Sequence, residues 1–206
     1  MRKFMPTNGY DRASINYSMI TLFKPADIFR FFCLSLFRDE YYNVHITLEE
    51  LSNVTGDKTL SSFNKHFKEF LDIKPYYVDN GFVFKTRRNV YHIPPMDLKC
   101  VTFSSRLAMV DLDPSYIGFF IQLVLISKFG NIELTRPQII KLLKMDSKTY
   151  DKYVKELLGV LLFIDKGTLI LNEEEFILET DFKYQKKFSK REREPISVPQ
   201  FNFNKG

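Results

Sequence analysis

The chain has few of the residues on which disulfide-rich and metal-binding proteins depend. It contains no tryptophan, and Cys33 and Cys100 are its only cysteines among 206 residues. Two cysteines far apart in apolar surroundings have no metal-ligand spacing, so we expect buried, reduced thiols. The sequence also lacks a glycine-rich phosphate-binding loop, and its three histidines, His45, His66 and His92, lie far apart. We therefore expect neither enzymatic activity nor a cofactor.

Long apolar runs are also missing. The longest, "YIGFFIQLVLI", is about half the length that a helix needs to cross a bilayer. The first residues, "MRKFMPTNGYDR", are charged and are not followed by an apolar segment, so we expect no signal peptide. These features predict a cytoplasmic protein with no membrane partner.

The net positive charge of the chain comes from its C-terminal segment. The formal net charge is +5, and the segment from Lys183 onward carries seven basic and two acidic residues, which accounts for all of it. The first 182 residues are neutral, with residues 1–96 slightly basic and residues 97–182 slightly acidic. This distribution argues against a uniformly basic nucleic-acid-binding protein.

The chain contains an internal repeat. "NVHITLEELSNV" begins at Asn43, and a similar stretch, "NIELTRPQIIKL", begins at Asn131. In both, a threonine is followed three residues later by Glu50 or Gln138, the spacing of a capping box at a helix N-terminus. The pattern predicts a short strand that enters a capped helix, twice.

The elements around these stretches also occur twice, in the same order. Each half begins with a short apolar segment ("SMITLF" or "LAMVDL"), which we expect to be a strand, followed by a proline-led apolar helix from Pro25 or Pro114. The strand and capped helix follow, then a second helix, "KTLSSFNKHFKEFL" or "KTYDKYVKELL". A hairpin closes each half, with predicted turns at residues 79–81 and 165–167.

This order predicts an α+β fold of two tandem winged helix-turn-helix domains. We expect an N-terminal arm over residues 1–13, one domain over 14–96, a second over 97–182, and a flexible basic tail over 183–206. The proline-led helices are apolar on nearly all sides, so we expect the domains to pack against each other, or one of them to dimerise.

The second helix of each half carries the candidate nucleic-acid contacts, because this helix of a helix-turn-helix enters the major groove. Its lysines align between the halves, and they suit phosphate contact better than base readout. A merely solvated helix face is the alternative. The predicted residues are Lys58, Ser61, Ser62, Lys65 and Lys68 in the first half, and Lys148, Lys152 and Lys155 in the second.

The residues that follow the hairpin turns differ in charge. The first half has Lys85, Arg87 and Arg88, which suit phosphate contact, so it is the better nucleic-acid candidate. The equivalent place in the second half has Glu173, Glu174 and Glu175, which would repel a duplex. These carboxylates favour a protein contact, pairing with the basic hairpin of a neighbouring copy, or a solvated turn.

The repeated units resemble the tandem winged-helix proteins of plasmids and phages, particularly replication initiators, over residues 14–182. The resemblance implies binding of origin DNA by one or both long helices, and dimerisation through one domain. We therefore expect a DNA-binding protein of a mobile element, acting in replication initiation or transcriptional regulation. The neutral body and the acidic second hairpin depart from that pattern.

Two alternatives remain open. Winged helices also serve as protein-binding scaffolds, so the chain could be a phage-encoded adaptor or inhibitor resembling anti-CRISPR proteins that engages a host nucleoprotein. RNA binding is the other, since such folds can bind a duplex through contacts with its backbone.

Overall fold

Helices and short strands alternate along the chain in the computed structural model, which describes residues 11–57, 60–73, 82–93, 99–166 and 168–178. Residues 1–10 of the predicted arm, Lys58, the predicted turn at 79–81 and the predicted tail over 183–206 lie outside these ranges. The fold is of the mixed α+β class, as predicted.

Within the described residues, the first half contributes four strands and four helices: β1 (Arg12–Asn16), α1 (Met19–Leu22), α2 (Pro25–Ser35), β2 (Asn43–His45), α3 (Leu48–Thr55), α4 (Leu60–Leu71), β3 (Phe84–Arg87) and β4 (Val90–His92). The second contributes β5 (Cys100–Ser104), α5 (Arg106–Met109), α6 (Pro114–Phe129), α7 (Arg136–Leu143), α8 (Ser147–Leu157), β6 (Leu162–Asp165), β7 (Thr168–Leu171) and β8 (Ile177–Leu178).

The repeat is visible in the backbone as well as in the sequence. Helix α3 begins after Thr47 and ends at Gly56, which has a φ of 70°. Helix α7 begins after Thr135 and ends at Lys144, which also adopts the left-handed conformation, with a φ of 50°. Equivalent residues of these two helices, and of β1 and β5, are separated by 88 positions.

The two halves are joined through one sheet, of strand order β1-β5-β8. Strands β1 and β5 are equivalent in the repeat, and they pair antiparallel with Ser14 opposite Thr102. The hydroxyls of these two residues lie 2.8 Å apart and hydrogen-bond to each other. Adjacent antiparallel strands are related by a local two-fold axis, so an approximate two-fold through this pair relates β1 to β5.

Helices α2 and α6 pack against each other and form the centre of the core. Every side chain from Asp27 to Ser35 on α2, and from Ile117 to Ile126 on α6, is buried. This confirms the prediction that both proline-led helices are covered on more than one side. Gly118 permits the close approach, since a Cβ at this position would lie 1.6 Å from the carbonyl oxygen of Pro25.

Two buried hydrogen bonds also join the halves. The side-chain amide of Gln122, buried on α6, donates to the carbonyl oxygens of Ile20 and Phe23, at 3.1 and 3.4 Å. Those two carbonyls belong to α1 and the residue that ends it. One side chain of the second half therefore fixes the segment that leads into α2. Cys33 and Cys100 are both buried thiols, as predicted.

The predicted first strands are wrong in position. The segments "SMITLF" and "LAMVDL" contain the short helices α1 and α5, and the strands β1 and β5 precede them. In the first half the side chain of Asn16 accepts hydrogen bonds from the backbone and the hydroxyl of Ser18. This turn ends the strand and starts α1, so the apolar residues that follow, Met19 and Ile20, reach the core from a helix.

The predicted strand "NIELT" in the second half is also wrong. The first hairpin that the structure describes, β3–β4, turns at residues 88–89, whereas the predicted turn at 79–81 lies outside the described residues; β2 extends this hairpin into a three-stranded sheet of order β2-β4-β3. The second, β6–β7, has no third strand among the described residues, because residues 131–135 are not extended as a strand. Asn131 takes a φ of 49°, whereas in the first half the left-handed residue is Tyr42, which precedes β2. Asn131, the first residue of the predicted strand, therefore has a turn conformation instead of an extended one.

Only one of the two predicted capping boxes forms. Thr47 Oγ1 accepts from the amide of Glu50, and the Glu50 carboxylate accepts from the amide of Thr47 at 2.8 Å. At the start of α7 the prediction is wrong, since the Thr135 hydroxyl donates to the side chain of Gln138 and caps no amide. The two side chains of that pair hydrogen-bond to each other instead of to the backbone.

Gly118→Ala should destabilise the fold by at least about 3 kcal/mol, because the new methyl group would overlap backbone rather than a side chain that can move. Urea denaturation followed by circular dichroism measures the change. Ser127→Ala, at an exposed position of the same helix, is the matched control and should stay within about 0.5 kcal/mol of the parent. Equal stability of both variants would contradict the close packing of α2 and α6.

Thr47→Ala should cost about 1 kcal/mol, the usual value for removing an N-cap side chain. Thr135→Ala removes the same hydroxyl from the equivalent position, where it caps nothing, and should cost less than about 0.5 kcal/mol. Thermal unfolding of the two variants side by side tests the difference. A larger loss for Thr135→Ala would show that the capping is assigned to the wrong half.

The capping box also gives the fold a pH dependence. Hydrogen bonds from the backbone and hydroxyl of Thr47 lower the pKa of Glu50. A carboxylate with a lowered folded pKa stabilises the fold above its unfolded pKa of about 4.3, and this contribution is lost as the pH falls through the folded value.

Candidate nucleic-acid interface

Helix α8 presents the clearest row of exposed cations. Its buried face consists of Tyr150, Val154 and Leu157, which pack into the core. Lys148, Lys152 and Lys155 lie on the opposite side and are exposed. At 1.5 Å per residue these three lysines span about 10 Å of the helix axis. The amphipathic period of the helix therefore gathers its lysines on the solvent face.

Two further lysines adjoin this row. Lys141, in the last turn of α7, and Lys144, the residue that ends it, are exposed beside the turn that leads into α8. Among the described residues, none of these five lysines forms an ion pair. Arg136, by contrast, holds Asp151 in a bidentate pair at 2.8 Å, so one of the two acidic residues of α8 is neutralised, and exposed Glu156 is the other. We call Lys141, Lys144, Lys148, Lys152 and Lys155 the α8 cation row.

Helix α4 presents a weaker version of the same surface. Phe63, Phe67 and Phe70 are buried, and Ser61, Lys65 and Lys68 are exposed on the other side. Ser62 lies on the same helix, and Lys58 lies outside the described residues. Helices α3 and α4 carry three acidic and two basic residues, whereas α7 and α8 carry two acidic and five basic. The helices therefore favour the second half as the site of anion contact.

The basic residues of the first hairpin, by contrast, favour the first half as the site of phosphate contact. Lys85 and Arg87 are exposed on β3, and Arg88 is exposed in the turn that follows. Asn89 completes this turn: it adopts a φ of 58°, and its carbonyl accepts from the amide of Ile46 at 3.2 Å. Because β2 supports the hairpin, the two arginines are held on a three-stranded sheet.

A shallow cavity of about 340 Å³ lies between this turn and the start of α3. Arg87 and Arg88 line one side, and His45, Thr47 and Glu50 line the other. The carboxylate of Glu50 is engaged by Thr47 and partly offsets the positive charge of the arginines. The cavity is therefore a moderately cationic pocket at the edge of the α3–α4 pair.

The three glutamates of the second half follow its hairpin, in the order that the sequence predicts. Glu173 accepts from the ammonium group of Lys128 at the end of α6, which neutralises it. Glu174 and Glu175 are exposed in the turn between β7 and β8. The turn of the β6–β7 hairpin itself carries Lys166, with a φ of 48°. The carboxylates thus follow the hairpin at its base, and a lysine occupies its tip.

The turn after α3 is anchored from beneath by a buried arginine. Arg30, on α2, donates to Asp27 at 2.7 Å and to Asp57 at 2.8 Å. Burial alone would lower the pKa of Arg30, but the two carboxylates more than offset this and raise it. Thr55 donates its hydroxyl to the other oxygen of Asp57, at 2.6 Å. These contacts fix the turn that precedes α4 to the central helix.

The remaining candidate chemistry is sparse. His66 lies 3.6 Å from Glu69 on α4, and His92 faces Asn43 at 3.3 Å across the first sheet. Within the described ranges, no three His, Cys, Asp or Glu side chains are grouped so that they could hold a metal ion. No helix in the same part of the chain combines the length and apolar character of a bilayer span.

Charge counting along α7 would have found the two lysines that the sequence analysis missed. Lys141 and Lys144 were not among the predicted contacts because they lie on the first helix of the pair and at its end. No sequence signal would have revealed the cavity at Arg87, because His45 and Thr47 meet it only through the pairing of β2 with β4.

Comparison with protein-family models, curated proteins and solved structures found no match to this chain. The assignment of function therefore depends on the geometry of the exposed cations and the elements that hold them.

Arg30→Met should destabilise the fold by about 3–5 kcal/mol, because it leaves the carboxylates of Asp27 and Asp57 buried without their partner. Arg136→Met is the matched control, since it removes an exposed bidentate arginine–aspartate pair and should cost less than about 1 kcal/mol. Urea denaturation at neutral pH compares the two. Equal losses would mean that Arg30 is not the anchor of the α3–α4 turn.

Proposed function

We propose that this protein binds duplex DNA through two winged-helix units, and that it serves a plasmid or phage in replication initiation or transcriptional regulation. The order of elements supports a winged helix in the first half. Helix α2, strand β2, helices α3 and α4, and the β3–β4 hairpin follow one another, with the sheet order β2-β4-β3. The second half repeats this order without the strand between its first two helices.

The α8 cation row is the observation that carries the proposal. Five exposed lysines on and beside one helix, with no ion pair among the described residues, form a surface on which phosphate groups can replace solvent counterions. The same face of α4 repeats Lys65 and Lys68 at the equivalent positions. A merely solvated helix would need no such repetition in a chain whose body is otherwise neutral.

The two halves would contribute differently to binding. Lysine ammonium groups contact phosphates well but discriminate poorly between bases, so the α8 cation row supplies affinity rather than sequence selectivity. Arginines donate in a fixed fork that suits phosphates and guanine edges, and Arg87 and Arg88 are held on the first hairpin. We therefore assign the second half to backbone contact and the first hairpin to the more directional contacts. Neither role requires a cofactor or a catalytic group.

Lys152→Glu with Lys155→Glu should abolish binding to a 30-bp duplex at moderate salt, measured by fluorescence anisotropy. For every phosphate that the variant no longer neutralises, the slope of log affinity against log salt should also become shallower by about 0.9. Lys65→Glu with Lys68→Glu should weaken binding in the same way. All four side chains face solvent, so circular dichroism spectra and thermal midpoints should not change.

A charge-matched control separates the interface from overall charge. Lys24→Glu with Arg106→Glu makes the same change at two exposed positions outside the proposed faces and should bind within about threefold of the parent. If the control loses as much affinity as the α8 variant, the contact is a diffuse charge effect. If the α8 and α4 variants both bind like the parent, the proposed interface is wrong.

Duplex RNA in the same assay distinguishes the alternative ligand. The proposal expects DNA to compete at lower concentration than RNA of the same sequence, because a helix fits the major groove of B-form DNA and not that of an A-form duplex. A chain that binds neither duplex would favour the adaptor or inhibitor role, for which the apolar surface of the second hairpin is the relevant observation.

A further inference from the structure

The cavity beside the first hairpin has the composition of a small-molecule site. Its volume of about 340 Å³ lies at the lower end of the range of ligand pockets, about 300–1,000 Å³. The buried side chains of Ile46 and Val90 form an apolar base. The other lining side chains include two guanidinium groups, a carboxylate and an imidazole, of Arg87, Arg88, Glu50 and His45. An apolar base with a few polar groups is typical of a pocket that orients one ligand.

A β-bulge places one of the two arginines at this pocket. The register between β3 and β4 shifts after Lys85, so that Lys85 lies opposite Tyr91 and Arg87 lies opposite Val90. Bulges commonly redirect a side chain next to a binding site. Arg88 follows in the turn, and neither arginine forms an ion pair among the described residues. Both guanidinium groups therefore keep their donors for a ligand.

The capping box leaves one oxygen of Glu50 without a partner. The amide and the hydroxyl of Thr47 both donate to Oε2, each at 2.8 Å. Within the described part of the chain, Oε1 accepts no hydrogen bond. The same two hydrogen bonds lower the pKa of Glu50, so the carboxylate stays ionised at neutral pH. Because Glu50 lines the cavity, the pocket offers a fixed acceptor as well as the arginine donors.

Guanine is the base whose edges match this set of groups. Its O6 and N7 both accept, which suits the fork of an arginine, and its N1–H and N2–H₂ groups both donate, which suits a carboxylate. Adenine and cytosine carry an amino donor where guanine has O6, and an arginine cannot accept from it. Thymine has one donor on its pairing edge where guanine has two. The combination of Arg87, Arg88 and Glu50 therefore favours guanine.

The pairing edge of guanine is free only outside a duplex. In a base pair, N1–H and N2–H₂ donate to cytosine, so a paired guanine can meet the arginines but not Glu50. An unpaired guanine can meet both. Unpaired bases are usually read on these two edges while they stack on an aromatic or guanidinium group, and exposed His45 lines the same pocket.

We propose that this pocket binds an unpaired guanine nucleotide. One arginine donates to O6 and N7, the other holds the 5′-phosphate, and Glu50 accepts from N1–H and N2–H₂. This extends the directional contacts that the proposed function assigns to the first hairpin. A free nucleotide and an unpaired guanine in a DNA strand present the same groups, and the test distinguishes them. It uses no duplex, so its failure would leave the duplex contact of the α8 cation row untouched.

Isothermal titration calorimetry of the full chain should show that dGMP binds at least about tenfold more tightly than dAMP or dCMP, because the wrong base loses a bidentate contact. A short thymidine strand with one central guanine is compared with an all-thymidine strand of the same length. A similar preference for the strand with guanine assigns the pocket to unpaired DNA. A preference for dGMP without a preference between the strands assigns it to the free nucleotide.

Glu50→Gln should abolish the preference for dGMP over dAMP. Glutamine also completes a capping box, but its oxygen is then used by Thr47 and its NH₂ group meets the guanine donors. Glu49→Gln, which removes the same charge from an exposed position outside the pocket, is the matched control and should keep the preference. Circular dichroism checks that each variant is folded.

Arg87→Lys with Arg88→Lys keeps the charge but not the fork. It should also remove the preference for dGMP, while the affinity for dAMP stays within about threefold of the parent. Equal affinity of the parent chain for dGMP and dAMP would overturn the proposal. So would a preference for dGMP that survives either Glu50→Gln or the double arginine substitution.

Discussion

The contact between α2 and α6 sets the position of everything else in the molecule. Two helices that are apolar on nearly all sides cannot each lie at the edge of a separate domain, so each must be covered by the other half. The glycine at 118 brings the two backbones together, and Gln122 then reaches the carbonyls that lead into α2. With these helices fixed, α3 and α4 on one side and α7 and α8 on the other are held at defined places around a single core.

The sequence predicted the elements whose signals are local. The α+β class, both central helices, the capped start of α3 and the hairpin around Lys166 all depend on neighbouring residues. The first strands could not be placed in this way. Whether "SMITLF" is a strand or a helix depends on an Asn16 side chain that ends the strand before it. The strand expected at Asn131 failed because one residue took the left-handed conformation one position later than in the first half.

The sequence predicted only part of the candidate interface. The exposed lysines of α4 and α8 follow from the helical period, since the buried residues of each helix leave only one face for them. Sequence order alone could not show that Glu173 pairs with Lys128 at the end of α6. The α8 cation row therefore forms no ion pair with these glutamates among the described residues, and the two halves carry different kinds of basic surface around one core.

The hydrogen bond between Ser14 and Thr102 lies where the approximate two-fold axis crosses the sheet, so each residue faces its own counterpart in the repeat. A group placed on such an axis must be able to pair with a copy of itself. A carboxylate or an ammonium group would meet its own charge there, whereas a hydroxyl can donate in one direction and accept in the other. The pairing thus needs no difference between the halves. At this point the single chain has the geometry of a symmetric homodimer, with a covalent connection in place of a second molecule.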